Sequence, residues 1–365
     1  MSILNQINDI DDLDIEGVFS APSESDEAVK PVSYKPWHKP RKQWVREKQW
    51  LKYINDIKPT SDDGSVNYFG LTGPDLLDVI YLSKKSKHSI NAHGIISSPK
   101  DFIIANENIL REKRSNGKLS QRSQMILGNF DNVANLQSLS FYRVKSSYDL
   151  INLDFCDSIY HKGRLKAIYE VVKKQVTSSN RVPWLLCITT KIQENDFCID
   201  IFNELIDHLK PLQDQRFEGA DIIGKGIKYN MDSLSASINE KGLCNVLNLG
   251  FICRLVVALS GLGFELKMKS IAKYKVSPTS KVEDMYSFVI QVKEKAVLSD
   301  LLDTDPVDHK TLIENAFIKY EKAIDIDNLL SSNDALMEYF ISESEQLLDL
   351  CGIDISGYKK FVAEN

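Results

Sequence analysis

Short apolar runs alternate with amphipathic segments from about Asn67 onward, and this alternation constrains the fold more than any other feature of the chain. It predicts a parallel sheet whose strands are connected by crossover helices. The predicted strands cover residues 66–71, 93–96, 124–127, 150–154 and 184–189, and the predicted helices cover residues 74–82, 100–113, 164–177, 195–209 and 251–260. Two final alternating runs, 264–275 and 286–295, predict an antiparallel pair. We therefore expect an α/β protein with a seven-stranded sheet and helices on both faces.

A chain of 365 residues with 43% hydrophobic residues can bury one large core and carry appendages. Charge and composition divide it into an acidic leader (1–33), a basic, tryptophan-rich arm (34–63), an α/β domain (64–296) and an acidic helical extension (297–365). A polar, glycine-punctuated insertion is predicted at 211–248. The extension is expected to contain two helices, one through about residue 322 and one from Asn333 or Asp334.

The sequence shows no sign of a membrane or secreted protein. No apolar run reaches the roughly 20 residues that a membrane-spanning helix needs, and the first residues lack the basic and apolar regions of a signal peptide. The six cysteines are scattered without a Cys-x-x-Cys pair, which is typical of reduced thiols. The sequence therefore predicts a cytoplasmic protein with no membrane partner and no metal site.

The leader carries eight acidic residues against Lys30 alone and has few aromatic residues, a composition that predicts disorder. It also contains apolar residues that are unusual in a purely solvating tail, namely Ile10, Leu13, Ile15, Val18 and Phe19. One interpretation of the leader is therefore a short motif that becomes ordered on a protein partner.

The arm reverses the charge, since residues 34–53 hold seven cations against Glu47 and three of the four tryptophans. Residues 41–54 are predicted to be helical, with Trp44, Lys48 and Leu51 near one face. Cations interleaved with flat aromatic rings can neutralise phosphates and stack on unpaired bases. Alternatively, the tryptophans dock the arm on the main domain while the cations reach water. These interpretations are compatible, and the candidate nucleic-acid or partner-binding residues are Trp37, Arg41, Lys42, Trp44, Arg46, Lys48 and Trp50.

The second predicted helix of the extension has an apolar stripe formed by Leu336, Phe340, Leu347 and Leu350. Such a stripe packs either on its own domain or on a partner chain, and the sequence leaves both open. Because the extension is acidic, any nucleic-acid contact is expected on the arm.

Residues 148–157, YDLINLDFCD, place an apolar strand directly before two carboxylates. Polar residues at the carboxyl end of a buried parallel strand lie where open α/β sheets bind ligands. Asn152, Asp154 and Asp157 are therefore the candidate catalytic residues. The carboxylates could act as a general base or hold a divalent cation through their oxygens. In the alternative interpretation, Asp157 caps a helix that starts at 158–160, and Asp154 accepts hydrogen bonds from loop amides.

The order of elements in the α/β domain resembles that of the class I S-adenosylmethionine-dependent methyltransferases, which have a Rossmann-like sheet. The resemblance implies that Gly70, Thr72 and Gly73, in the loop after the first strand, cradle the cofactor. It implies that Asn129 and Asp131 contact adenine and that residues after the fourth strand meet the reacting centre. The implied cofactor is S-adenosylmethionine, and a degenerate member of the fold would bind none.

Three departures from the family pattern concern the cofactor site and its surroundings. Residues 70–74, GLTGP, supply two glycines where the family usually has a GxGxG loop, and glycine allows the backbone to approach a ligand closely. The end of the second strand lacks the acid that would hold the ribose, unless Asp101 takes its place. Residues 152–157, NLDFCD, lack the Pro-Pro-aromatic element of enzymes that methylate exocyclic amines of DNA bases, which counts against an ordinary adenine or cytosine N-methyltransferase.

Two functions are compatible with the sequence. The first is a catalytically silent or degenerate methyltransferase-like subunit or adaptor of a bacterial multi-protein complex, with a protein partner and nucleic-acid contacts through residues 34–53. The alternative is an active methyltransferase acting on nucleic acid or on a protein partner. The reduced glycine loop favours the first, and the polar residues of the fourth strand favour the second. The whole chain is also similar to uncharacterised bacterial proteins of antiphage defence clusters, which implies a partner encoded nearby.

Overall fold

The structure is a computed structural model. It describes residues 34–115, 117–134, 147–178, 182–192, 199–209, 240–277, 280, 283–295 and 309–364. The acidic leader and residues 211–239 of the predicted insertion lie outside the described residues. Residues Tyr34–Asn365 form one compact unit, so the arm, the sheet and the extension are parts of the same body.

The strands are β1 (Val66–Leu71), β2 (Ile90–Ile96), β3 (Gln124–Leu127), β4 (Leu150–Asp154), β5 (Trp184–Lys191), β6 (Phe264–Tyr274), β7 (Met285–Glu294) and β8 (Ile324–Asp325). The arm forms a helix, α1, from three consecutive segments, Pro40–Trp44, Val45–Leu51 and Lys52–Asp56, of which the second is a π-helix. The other helices are α2 (Leu77–Lys85), α3 (Pro99–Ser115), α4 (Lys162–Ser178), α5 (Ile199–Leu209), α6 (Glu240–Gly261), α7 (His309–Glu321), α8 (Ile326–Ser331), α9 (Asp334–Leu350) and α10 (Tyr358–Glu364).

The strand order of the sheet is β3-β2-β1-β4-β5-β7-β6-β8. The first five strands are parallel, whereas β7 runs antiparallel to both β5 and β6. Five parallel strands in the order 3-2-1-4-5, closed by an antiparallel pair, form the predicted methyltransferase-like fold, which is confirmed. Among the described residues the sheet has eight strands rather than the predicted seven, because β8 adds two residues beside β6. A pair of residues is too short to show a strand periodicity in the sequence.

Several predicted boundaries need correction. Helix α2 begins at Leu77 rather than at residue 74, because Leu76 has a left-handed backbone with φ 52°. Helix α6 begins at Glu240 rather than at residue 251, so the end of the predicted insertion is helical. Strand β2 begins three residues before its predicted start, at Ile90.

Helices cover both faces of the sheet, as predicted. One face carries α4, α5, α6 and α7, whose apolar side chains form one core with the sheet. The segment Cys244–Gly261 of α6 is long and apolar enough to cross a membrane, but 72% of it is buried inside the fold, so it packs as a core helix. The opposite face carries α1, α2, α3, α9 and α10, which form a second core.

The arm lies between the sheet and the C-terminal extension. Trp44 and Trp50 are 5% and 1% exposed and belong to the second core, so the arm is docked on the main domain. Phe340 and Leu347 of α9 are buried in the same core, whereas Leu350 is 51% exposed. The apolar stripe of the extension therefore packs on its own domain through part of its length.

Candidate functional site

The predicted site residues of β1 and β4 lie side by side at the carboxyl edge of the sheet. Gly70 is paired in register with Asn152, and Asp154 is the last residue of β4. Asn152 is buried, and its Nδ2 donates a hydrogen bond to the hydroxyl of Tyr68 over 3.2 Å. The side-chain amide of Asn152 thus donates its hydrogen bond to the neighbouring strand β1.

Asp154 forms an ion pair with Lys42 of the arm helix. The two side chains are 13% and 5% exposed, so the pair is nearly enclosed. The Lys42 ammonium also lies 4.5 Å from the centre of the Trp50 ring, a cation–π contact. Burial raises the pKa of Asp154, and the nearby Lys42 opposes that rise. The Asp154 carboxylate thus already has a cationic partner within its own chain.

A second ion pair between the arm and the α/β domain lies beside the first. Arg46 Nε donates to Asp78 Oδ1 over 2.7 Å, and the guanidinium is 3% exposed. Asp78 lies in the first turn of α2, the helix that follows the loop after β1. The two pairs are coupled, since Asp78 raises and Arg46 lowers the pKa of Asp154. The arm thus forms an ion pair with each of two carboxylates near this edge.

The resemblance assigns the cofactor to residues of the loop after β1, but the structure places Gly70 inside β1 and only Thr72 and Gly73 in the loop. A Cβ atom added at Gly70 would lie 2.7 Å from two ring carbons of Tyr68, so this glycine makes room for the tyrosine ring. Thr72 Oγ1 lies 3.6 Å from the sulfur of Met125 on β3, and it is directed towards Gly94 of β2. A Cβ atom added at Gly73, by contrast, would have no other atom within 4 Å.

Asp131 and Asp157 are joined by an arginine that the sequence analysis did not single out. Arg164 donates from Nε to Asp131 over 3.1 Å and from Nη1 to Asp157 over 2.5 Å. Asn129 accepts a hydrogen bond from the backbone N–H of Asp131 over 2.9 Å. The capping interpretation of Asp157 is wrong as stated, because α4 begins at Lys162 and not at residues 158–160.

Strand β2 itself ends without an acid, and Asp101, the predicted substitute, lies in the first turn of α3. Burial and the nearby Asp101 raise the pKa of Asp75 in the loop after β1. The hydroxyl of Ser98 accepts from the backbone N–H of Asp101 over 3.3 Å, so this serine stabilises the start of α3. At the end of the first strand, the ring of Tyr68 over Gly70 leaves little room for S-adenosylmethionine. The groups at the third strand, Asn129 and Asp131, remain near the surface, and Asp131 is 34% exposed.

A small cavity of about 70 Å³ lies between the arm and the ends of β4, β6 and β7. Its lining combines aromatic and apolar side chains with Lys39, Arg41, Lys42 and Asp154. Cys156 also lines it; its side chain is exposed, and the surrounding side chains and the nearby Asp154 carboxylate raise the pKa of its thiol. Within the described part of the chain, no group of three or more His, Cys, Asp or Glu side chains could hold a metal ion.

The predicted nucleic-acid or partner-binding residues are divided between the interior and the surface. Lys42, Trp44, Arg46 and Trp50 are buried, and Trp37 is half-buried. Arg41 is 22% exposed and forms an ion pair with Asp327, whereas Lys48 is 45% exposed. An external ligand can thus reach Trp37, Arg41 and Lys48 without displacing the arm.

Sequence reasoning missed Tyr68, Asp78 and Arg164, each of which shapes the site. The signal for Tyr68 was present, because residues i and i+2 of a strand share a face and a glycine at i+2 leaves room for a large neighbour. Asp78 and Arg164 gave no comparable signal, since an acid in the first turn of a helix is common and charged side chains of helices usually face solvent.

Comparison with known proteins gives a family match and distant structural matches. A model of the family described as PP_RS20740-like matches residues 31–363. No curated protein matches the sequence. The plantazolicin methyltransferase BpumL, solved with SAH, is similar at 12% identity, over 70% of this chain and 85% of its own, with a TM-score of 0.32.

Two further solved structures are of the same kind. An O-methyltransferase from Bacillus cereus in complex with SAH has 12% identity, covering 76% of this chain and 94% of its own, with a TM-score of 0.32. TrmN from Thermus thermophilus has 10% identity over 67% of this chain, with a TM-score of 0.33, and the match spans only 47% of its length. Because these TM-scores are low, we base the fold assignment on the strand order of the sheet.

Proposed function

The chain belongs to the PP_RS20740-like family, and we propose that it is a catalytically silent methyltransferase-like subunit that binds a protein partner. In this proposal the α/β domain is a scaffold, and no methyl transfer takes place at the ends of its strands. The chain contributes binding surfaces to a larger bacterial assembly.

The ion pair between Lys42 and Asp154 carries this proposal. Asp154 occupies the position at the end of the fourth strand where the resemblance places the reacting centre. A general base must be within reach of the proton that it removes, and here the carboxylate faces an ammonium group of its own chain. Breaking such a pair leaves one buried charge without a partner, which costs about 3–5 kcal/mol. The pair therefore favours a closed site.

The glycine loop supports the same conclusion. Glycines in such loops allow the backbone to approach a phosphate or a nucleoside closely. In this chain the space at Gly70 is taken by Tyr68, and Thr72 packs against Met125. Two of the three predicted cofactor residues, Gly70 in β1 and Thr72 in the loop, thus serve internal packing.

An active methyltransferase is the second candidate, and the open space around Gly73 favours it. Asn129 and Asp131 also lie after β3, where the resemblance places the adenine contact. In that case S-adenosylmethionine would supply the methyl group, and the acceptor would be a nucleic acid or a protein partner. Asn129, Asp131 and Gly73 would then hold the cofactor.

Isothermal titration of the full chain with S-adenosylmethionine and with S-adenosylhomocysteine tests the proposal. We expect no saturable heat up to millimolar ligand, which corresponds to a binding free energy weaker than about −4 kcal/mol. Saturable binding that is lost in the variants Asn129→Ala and Asp131→Ala would refute the silent site and favour the active enzyme. Melting curves of both variants serve as the control for folding.

A further inference from the structure

A second concave surface lies away from the carboxyl edge of the sheet. It is a groove of about 450 Å³ between the arm helix, β6 and the C-terminal extension, and we call it the lysine groove. Its lining consists of Lys48, Lys52, Lys269, Lys319, Lys322, Trp44, Tyr53, Ser270, Ile271, Ile324, Leu329 and Leu336. A volume of this size lies within the range of about 300–1,000 Å³ that is usual for ligand pockets.

Five lysines reach this groove from three different elements. Lys48 and Lys52 are one turn apart on the arm helix and therefore share a face. Lys269 lies at a β-bulge in β6, where the register with β7 shifts between Met268 and Ser270. A bulge changes the direction of a side chain relative to the strand, and bulges occur often beside binding sites. Lys319 and Lys322 come from the end of α7 and the residue after it.

The charge of the groove contrasts with that of the whole chain, whose formal net charge is −6. Among the described residues no carboxylate lines the groove. Of its five lysines, only Lys48 has an ion pair within the described part of the chain, with the adjacent Glu47 at 2.6 Å. Like charges gathered in one concavity repel each other, so an anionic ligand would relieve an unfavourable arrangement.

The floor of the groove is apolar. Trp44 and Ile271 are buried beneath it, Leu329 and Leu336 are half-buried, and Ile324 is 38% exposed. A ligand that fits this surface combines negative charges for the lysines with apolar groups for the floor. Acidic polypeptide segments with interspersed apolar residues have both properties.

A nucleic acid fits the groove less well. Single-stranded nucleic acids bind best where flat aromatic faces are open for base stacking. Here the ammonium groups of Lys52 and Lys269 lie 5.3 Å and 5.7 Å from the centre of the Tyr53 ring, so this ring already takes part in cation–π contacts.

We propose that the lysine groove binds an acidic, apolar peptide segment of a protein partner. This inference rests on the proposed function, since it identifies where the silent subunit would bind its partner. The lysines at the rim would bind the acidic side chains of the segment through charge complementarity. The apolar floor would bury its apolar side chains.

Fluorescence anisotropy of the full chain with a labelled dodecapeptide of paired aspartates and leucines tests this proposal. The comparison ligands are the same peptide with asparagine in place of aspartate and a single-stranded oligodeoxythymidine of equal length. The groove variant is Lys52→Glu/Lys319→Glu/Lys322→Glu. Its matched control is Lys100→Glu/Lys166→Glu/Lys173→Glu, which changes the net charge equally at exposed lysines that do not line the groove.

We expect the acidic peptide to bind the natural chain and the control variant with equal affinity, and the groove variant at least about tenfold more weakly, or about 1.4 kcal/mol. We also expect the affinity to fall as salt is added. Absence of saturable peptide binding, equal affinity for the asparagine peptide or equal losses in the two variants would overturn the proposal. Tighter binding of the oligonucleotide would assign the groove to phosphates instead. Cofactor binding in the titration above would refute the silent site without changing these outcomes, so the two proposals can fail separately.

Discussion

Replacing Lys42 with methionine tests the closed site most directly, because methionine keeps the length of the aliphatic stem and removes the charge. Asp154 would then be left without its partner while remaining only 13% exposed. Removing one partner of a buried pair usually costs about 3–5 kcal/mol. Since Asp154 keeps some access to water, we expect the lower end, about 3 kcal/mol. For the compact unit of about 330 residues, an unfolding entropy of about 0.7 kcal/mol/K converts this loss to about 4 °C in melting temperature.

The destabilisation should also depend on pH in a defined direction. Burial raises the pKa of Asp154 in the folded chain, and Lys42 lowers it, so removing Lys42 raises the folded pKa further. A carboxyl group whose pKa is higher in the folded chain than in the unfolded chain destabilises the fold as the pH rises from its unfolded pKa to its folded pKa. The difference between Lys42→Met and the natural chain should therefore be smallest in acidic buffer and largest at neutral and alkaline pH.

The assay is thermal unfolding followed by tryptophan fluorescence at about pH 5 and about pH 8. Lys48→Met on the same helix is the matched control, because Lys48 is 45% exposed and an exposed pair contributes only about 0–1 kcal/mol. If the two variants have equal melting temperatures, or if Lys42→Met lowers the melting temperature equally at both pH values, then the buried pair does not stabilise the arm as we infer.

Three further predictions concern single residues. Gly70→Ala should lower the stability by about 1–3 kcal/mol through overpacking against Tyr68, and Gly73→Ala should not; equal melting temperatures would contradict the packing role of Gly70. Burial, together with Arg46 and Lys35, lowers the pKa of His38 to about 4 in the folded chain. As the pH drops from 6.5 to about 4, His38 is protonated in the unfolded chain but not in the folded chain, so the stability should fall over this range. An NMR titration of His38 with an ordinary midpoint would rule this out. Cys156, whose pKa is raised to about 11, should react slowly with a thiol reagent at neutral pH, although it is exposed; a rate equal to that of free cysteine would show otherwise.

The sheet was predictable from the sequence because each strand has its own local signal. Strand β4 is an apolar run that ends in a carboxylate, and its predicted bounds match those of the structure. The contacts that close the site have no such signal. Lys42 and Asp154 are 112 residues apart, and Arg46 and Asp78 are 32 apart. Nothing in their local sequences distinguishes these residues from the charged residues of an ordinary solvated surface.

The arm shows a second limit of sequence reasoning. A regular α-helix predicts Trp44, Lys48 and Leu51 near one face, and Trp44 and Lys48 do line the same groove. The α-helical pattern does not predict that Arg46 and Trp50 are buried as well. Residues Val45–Leu51 form a π-helix, which is wider and changes the angle between successive side chains. The arm is also covered on its outer side by α9 and α10, so more of its circumference is buried than in a helix at the surface.

The position of the arm also explains why a carboxylate at the end of β4 need not indicate catalysis. On the sheet side, Gln49 donates to the Ser270 hydroxyl over 3.0 Å, and on the outer side the Tyr358 hydroxyl donates to the carbonyl of His38 over 2.6 Å. Lys42 is therefore held near the sheet by contacts on both sides of its helix. An uncharged residue in place of Asp154 would leave the Lys42 ammonium buried without an anion, at a cost of several kcal/mol. The carboxylate would thus be retained for the stability of the arm even if the site performs no chemistry.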